Sequence, residues 1–488
     1  MSIRILHTND LHGFVRATPR LAQGVQAERA QHDNVLFIDV GDFFRLRRHR
    51  RPQDDDRVTA WTLRTLGYDI VTPGNSELSR FDPWHLDFLI AQNCGTMLCT
   101  SGFNARLPAS CRPYRVFTLD GYRVLFIGIC TENTHWDLAS PANNFYSSAR
   151  RSAAKTASLV NAYRDRVDMV IVLSHSGMAQ DILLAEEIPE IDLILSGHCH
   201  HPSLRPICVG KTKIVQAGLN GMFLGQVDIT PADGGPLIES ALHTIDAETP
   251  EDPVMERLLR LQGRRNDPNR LRIIGEAGEN IGKGYLSSNG LGNTVTDIWR
   301  KATGADIAWT KATFITPLFA PGHALTGWDL QLCVRGFPLS KILELTGDQV
   351  QQAMEHSVAD QSYAFLPPDR RDELVGQLES ASALPGCNFL HQSGMQVRVD
   401  LTKPTGERVQ EIRVDDKPLQ PDATYRVAMD AFHARGGSAF TMLQDPRRRE
   451  DLTLDNPVEA HVRETGQLEG TLDERYSIVG ATALATPA

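Results

Sequence analysis

No two cysteines stand at CxxC spacing. Cys94, Cys99, Cys111, Cys130, Cys199, Cys208, Cys333 and Cys387 are scattered along the chain, a usage that suits free thiols in a reducing compartment better than a thiolate-held zinc module. No uncharged run is long enough to cross a bilayer. The start, MSIRILHTNDLHG, has neither a continuous apolar h-region nor a small-residue cleavage pattern, so no secretory leader is read there. A cytoplasmic location is expected, unless a leader has been removed. Basic density is confined to RLRRHRR at 45–51, and the net charge of -10 is spread over both halves. A nucleic-acid binder needs a broad cationic face, so neither nucleic acid nor membrane is an expected partner. No internal repeat is present, and composition leaves monomer and homodimer equally open.

At 488 residues, 41% of them hydrophobic and 23% charged, the chain is a soluble globular one and exceeds a single ordinary core. Short β-branched runs at 3–7, 35–39, 123–129, 167–173 and 191–195 each lead into a turn rich in Asp, Gly, Ser, Asn or His. Helical patterns at 56–66 and 149–166 intervene. This alternation predicts a layered α/β domain whose ligands gather at the carboxyl ends of strands. After a strand-like segment at 225–229 the turn PADGGP and a helix over 251–265 read as a change of regime. The boundaries expected are 1–235 for a first domain, 236–280 for a linker with a connecting helix, and 281–488 for a second domain. Within the latter, a helix around 341–355 and strands at 394–400, 408–414 and 424–429 are predicted.

The strand ends carry the chemistry. Asp10 and His12 in HTNDLHG alternate, so both can face one cation while Leu11 turns to the core. Asp42 follows Gly41, which lets the backbone pass close by. Asn75 in GNSE offers an amide oxygen, His175 in SHSG an imidazole, and GHCH presents His198 and His200. Singly, each has a plainer reading as a cap, a turn former or a surface group. Five separate strand ends each bearing a plausible ligand make a shared metal site the stronger account. Mixed oxygen and nitrogen donors favour manganese, iron, zinc, cobalt or nickel over a Cys-rich zinc site and over a pure magnesium or calcium site.

Together HTNDLHG, GDF, GNSE, SHSG and GHCH resemble the calcineurin-like metallophosphoesterases, in particular the 5′-nucleotidase and 2′,3′-cyclic phosphodiesterase branch. GNTVTDIW, ADIAW, LELTG, QSGMQVRVD, YRVAMDAF and ARGG resemble that branch's carboxy-terminal substrate domain. The resemblance implies a four-layer α/β fold, a metallophosphoesterase β-sandwich flanked by helices, followed by an α+β 5′-nucleotidase-type domain. It implies two divalent transition metals, with Mn, Zn and Fe as candidates. Asp10, His12 and His200 would hold the first, Asp42 would bridge, and Asn75, His175 and His198 would complete the second. Asp42, Asn75, Ser76 and His175 are the implied catalytic positions.

The expected activity is hydrolysis of a phosphomonoester, with two cations about 3.5–4 Å apart activating water and a nucleotide or nucleotide-like metabolite as the small phosphorylated partner. A phosphodiesterase, a hydrolase of another oxyanion ester, and a catalytically weakened metal-binding homologue remain open alternatives. The branch's GNHEFD appears here as GNSELS, with Ser76 and Ser79 where a histidine and an aspartate usually stand. Serine has no group that takes up and releases a proton near neutral pH as imidazole does. Glu77 is expected to shape the loop by hydrogen bonding, and His49, His85 and His135 are other imidazoles weighed for the site. In the second domain Phe432 matches one of two base-stacking rings. PFGN is replaced by RGFP, making Phe337 a shifted substitute. TKATFI at 310–315 lacks the usual Asn and Arg, and Ser438 stands for an Asp. Lys311, Arg335 and Arg435 offer charge for an anionic group instead.

Overall fold

The computed structural model describes residues 2–44, 54–80, 95–101, 110–130, 149–266, 271–281, 289–316, 319–334, 340–359 and 388–480. The chain divides into two compact units, one drawn mainly from Met1–Ile245 with Thr249–Gln262, the other from Gly263–Ala364 with Ala383–Ala488.

The first unit holds two six-stranded sheets. In one, β1 (Ile3–Thr8), β2 (Val35–Asp39), β3 (Ile70–Val71) and β4 (Thr96–Met97) run parallel. The antiparallel β11 (Phe223–Thr230) and β12 (Leu237–Thr244) close its other edge. The second sheet has β6 (Tyr122–Cys130), β7 (Met169–His175), β8 (Leu193–Ser196) and β10 (Thr212–Val215) in parallel, edged by β5 (Tyr114–Leu119) and β9 (Ile207–Val209).

Alternate residues of the two sheets meet in one core: Ile3 and Ile5, Leu36 and Ile38, Val124 and Phe126, Ile171 and Leu173, Leu193 and Leu195. The intervening Leu6, Phe37, Leu125, Ile127, Val170, Val172 and Ile194 are buried as well. Strands apolar on both faces are those of a sheet covered on both sides, here by the opposite sheet and by helices such as Thr18–Gln31, Ala149–Tyr163 and Met178–Glu187. Burying one such Phe or Leu contributes roughly 1.5–3 kcal/mol, so the sandwich is a firm base for the loops at its rim.

The stretch 236–280 divides between the units. Leu237–Thr244 is a strand of the first sheet, and the helix Pro253–Asn266 follows. Arg16 and Arg20, both buried, meet Glu251, and Arg16 also meets Glu256, which ties the start of this helix to Thr18–Gln31. Ile273–Ala277 pairs with Ala324–Thr326 and Gln467–Leu468 in the second unit.

The second unit is built on a five-stranded mixed sheet in the order Leu390–Ser393, Ile307–Lys311, Thr424–Asp430, Ser340–Thr346, Arg448–Leu452. The expected strands near 394–400, 408–414 and 424–429 are present as Met395–Asp400, Val409–Val414 and Thr424–Asp430. The helix expected around 341–355 is corrected: Ser340–Thr346 is a central strand, and only Gly347–Ser357 is helical. Thr346 and Gln349 form a capping box that starts the helix there, and this local signal outranks the apolar run before it.

Candidate metal centre

Every candidate ligand of the first unit follows the carboxyl end of a parallel strand. Asp10 comes after β1, Asp42 after β2, Asn75 after β3, and His198 and His200 after β8, while His175 is the last residue of β7. The loops after β1 and β2 are stitched together by backbone bonds: Asp10 N–H donates to Gly41 C=O at 2.8 Å and His12 N–H to Asp42 C=O at 2.7 Å. A side chain at Gly41 would put its Cβ 2.5 Å from Gly74 N, and one at Gly74 would sit 2.1 Å from Asp42 Oδ1. These two glycines let the loops close.

Strand alternation does not bring the ligands together, contrary to the reading of Asp10–His12 and His198–His200. Asp10, His12, Asp42, His198 and His200 all have positive φ, between 49° and 78°. In this left-handed region a non-glycine residue costs about 1–3 kcal/mol, and the turns it makes, beyond the strand proper, aim the side chains inward. Leu11 does pack into the core.

Asp10, His12 and His200 form one group, and Asp10, Asp42 and His175 another, each with its donor atoms within 4.8 Å of one another. Asp10 Oδ1 is 3.3 Å from His200 Nε2, 3.6 Å from His12 Nε2 and 3.9 Å from His175 Nε2. Asp42 spans the groups, with Oδ1 3.4 Å from His175 Nε2 and Oδ2 3.9 Å from His12 Nδ1. Asn75 and His198 meet each other, Asn75 Oδ1 lying 2.8 Å from His198 Nδ1, and the His198 ring packs edge-on against His175. Further bonds hold the ligands from behind: Asp10 Oδ2 accepts from Asn9 Nδ2 and from His198 N–H, Asp42 Oδ1 accepts from Ser76 N–H, and His175 Nδ1–H donates to Val40 C=O at 2.6 Å.

Burial would push the Asp10 carboxyl up, but His200 and His175 outweigh it and hold it down at about 2. Asp42 is likewise kept far below the usual carboxylate range by His175 and His12 against its burial. His175 moves the other way: burial favours its neutral form, yet Asp42 and Asp10 raise it to about 10. Two buried carboxylates thus create a field that demands positive charge. Asp10 Oδ1 and His175 Nε2 are buried with no hydrogen-bond partner among the described residues. Unpartnered inward atoms, anionic charge and a donor set of oxygen and imidazole nitrogen fit divalent cations.

Residues 3–202 match the family model for calcineurin-like phosphoesterases, and residues 274–445 match that for the 5′-nucleotidase carboxy-terminal domain. The chain carries a calcineurin-like phosphoesterase domain followed by a 5′-nucleotidase carboxy-terminal domain. Metal dependence is general to that family. Over 92% of its length this phosphoesterase is 23% identical to the trifunctional nucleotide phosphoesterase protein YfkN of Bacillus subtilis, of which it spans 33%. It is 22% identical to the 5′-nucleotidase of Bos taurus, covering 92% of this chain and 86% of that one. Among solved structures, a 5′-nucleotidase precursor from Thermus thermophilus superposes with a TM-score of 0.71 at 23% identity, covering 98% of this chain and all of that one. The sulfate thiohydrolase SoxB of the same organism gives 0.70 at 19% identity, with 98% and 97% covered. These likenesses establish the fold of the phosphoesterase.

Three buried groups around the centre shape it. Glu77 accepts from the backbone N–H of Asp42, Phe44 and Gly74 at 2.7–2.9 Å, the loop-shaping role expected of it. Ser76 gives its N–H to Asp42, and its buried hydroxyl has no partner among the described residues. Phe43 and Phe44 are fully buried and pack edge to face, so they belong to the core. Asn9, Gln216 and Asn220 also contact the ligand loops and were not anticipated. Asn9 stands inside HTND, where its position beside Asp10 was the available signal; IVQAG carries none.

In the second unit of the phosphoesterase, Phe432 is 36% exposed and lies 6.4 Å, ring to ring, from Phe314. Arg435 is exposed. Lys311 is not surface charge: it is buried and donates to Ser438 Oγ at 3.0 Å. Arg335, Phe337, His49, His85, His135 and the basic segment 45–51 lie outside the described residues.

Proposed function

We propose that the chain is a dinuclear-metal phosphomonoesterase acting on a nucleotide or a nucleotide-like phosphate. The observation that carries this reading is the position of Asp42, whose two carboxylate oxygens face His175 on one side and His12 on the other. It shares its buried cluster with Asp10, which links both donor groups. Asp10, His12 and His200 would hold one cation, Asn75, His175 and His198 the other, with Asp42 between them. The donor chemistry suits Mn, Zn or Fe. Such a pair, when bound, supplies Lewis-acid polarisation of a phosphoryl oxygen and a water acidic enough to react near neutral pH.

The chain's own residues prepare that chemistry. Val40 C=O orients the His175 ring through Nδ1 and leaves Nε2 facing Asp42 and Asp10. Ser76 N–H fixes the Asp42 carboxylate from behind. Ser76 offers no proton carrier of imidazole type, so protonation of the leaving group at this position is weak. Phe432 supports the nucleotide reading through its exposed ring, a surface on which a base can stack.

The test is elemental analysis of the purified chain beside a phosphate-release screen over nucleoside monophosphates, sugar phosphates and phosphodiesters. Two transition-metal equivalents with preferred release from nucleoside monophosphates are expected. Turnover confined to diesters would replace the monoester reading, and a folded chain that takes up no cation would end the metal reading.

A further inference from the structure

Gln216 follows β10 and is completely buried, with both ends of its carboxamide occupied. Nε2 donates to Ser196 Oγ at 2.9 Å and to Gly197 C=O at 3.0 Å. Oε1 accepts from His201 N–H at 2.5 Å. Its backbone exchanges two bonds with Ser203: N–H donates to Ser203 Oγ and C=O accepts from Ser203 N–H. One side chain therefore grips the turn immediately before His198 and immediately after His200. Between those two grips lie the left-handed residues His198 and His200, at φ 78° and 65°. Conformations of that kind persist only where the surroundings over-determine them.

The residues next to Gln216 hold the facing ligand. Ala217 N–H donates to Asn9 Oδ1 at 2.9 Å, and Asn9 Nδ2 donates to Gly218 C=O and to Asp10 Oδ2. Asn220 N–H donates to Asp10 C=O at 2.9 Å. The segment 216–220 thus carries the tethers of Asp10 on one side and of the His198–His200 turn on the other. Asp10 Oδ1 and His200 Nε2 stand 3.3 Å apart across it.

We propose that Gln216 is a positioning residue for the cation site: its carboxamide holds the His198–His200 turn in register with Asp10 and thereby sets the affinity of the site for its cation. This rests on the metal reading given above. Outer partners that orient metal ligands typically change affinity by about 10–100-fold when lost, and Gln216 orients two ligands through one amide.

The experiment is titration of the metal-stripped full chain with Mn²⁺ by calorimetry, with a thermal melt of the same stripped sample. Gln216→Met keeps the volume and removes every side-chain bond; Mn²⁺ is expected to bind at least tenfold more weakly to a chain that still melts cooperatively. Thr212→Val, at the start of the preceding strand, removes the buried bond from Thr212 Oγ1 to Ile191 C=O and serves as the control. It should lower the melting temperature and leave Mn²⁺ affinity unchanged, which separates positioning from general loosening. Gln216→Glu keeps the acceptor for His201 N–H and loses the donor to Gly197, so it reports if the Met variant does not fold; the same direction of affinity loss is expected. A folded Gln216 variant binding Mn²⁺ within twofold of the parent chain overturns the proposal while leaving the metal site intact. A parent chain that binds no Mn²⁺ overturns both.

Discussion

The Nε2 atoms of His12 and His200 lie 3.0 Å apart although 188 positions separate the two residues. At that distance two neutral imidazoles either share a proton or turn their lone pairs on a common cation. Asp10 Oδ1 lies 3.6 Å from the one nitrogen and 3.3 Å from the other, and it is buried without a hydrogen-bond partner among the described residues. The same oxygen also approaches His175, so a single carboxylate connects three imidazoles. That arrangement is economical for binding metal and costly without a positive charge to neutralise it.

Asp42→Asn should lower both cation content and phosphate release. The amide removes the charge shared by the two donor groups while preserving shape. Losing even an outer partner of a metal ligand costs up to about 100-fold in affinity, so a larger loss is expected here. Elemental analysis beside phosphate release checks it, and normal occupancy with normal turnover would defeat the assignment of Asp42.

Glu77→Gln should destabilise the first unit. Its carboxylate accepts three backbone N–H groups, whereas a glutamine amide group turns donors toward at least one of them. Leaving a buried N–H unsatisfied costs roughly 1–3 kcal/mol. A loss of unfolding free energy of that order in urea titrations is the expected outcome, accompanied by weaker cation binding because Asp42 N–H is among the three.

Ser76→His should raise turnover by about 100-fold, the lower end of what a well-placed acid or base supplies. The comparison is kcat on the best substrate at equal metal content. A fully metallated variant that is no faster would show that the missing imidazole does not limit the reaction.

Phe432→Ala should weaken nucleotides and spare sugar phosphates. Stacking a base on an aromatic ring contributes about 1–3 kcal/mol, which corresponds to a rise in nucleotide KM of roughly 5–150-fold. Equal effects on both substrate classes, or none on either, would remove Phe432 from base recognition.

Acid should unfold the second unit in part through His391. This residue is buried, and desolvation, followed by the nearby Arg475 charge, lowers its pKa to about 3. In the unfolded chain it titrates near 6.5, so the unfolded state binds the extra proton first. The contribution is whole above about pH 6.5 and is lost as pH falls toward 3, at about 1.4 kcal/mol per unit. His391→Leu should flatten this part of the stability curve in urea titrations; an unchanged slope would show that other groups govern it.

Much of this protein is legible in its residues. The strand runs at 3–7, 35–39, 123–129, 167–173 and 191–195 are short, β-branched and apolar on both faces, as strands of a sheet covered on both sides are, and the ligand types follow at their ends. Thr346 with Gln349 marked a helix start that the preceding apolar run obscured. What the chain could not announce is convergence. Asp10, His12, Asp42, His198 and His200 reach one another through left-handed turns, which depend on glycine clearances and on bonds from remote segments. Gln216 and Asn9 act through such bonds, and a glutamine after a β-strand looks like any other. Short apolar runs and the turn residues that end them are local features and are therefore written in the sequence. Which oxygen faces which imidazole depends on contacts between loops far apart in the chain, and only the packed sandwich decides them.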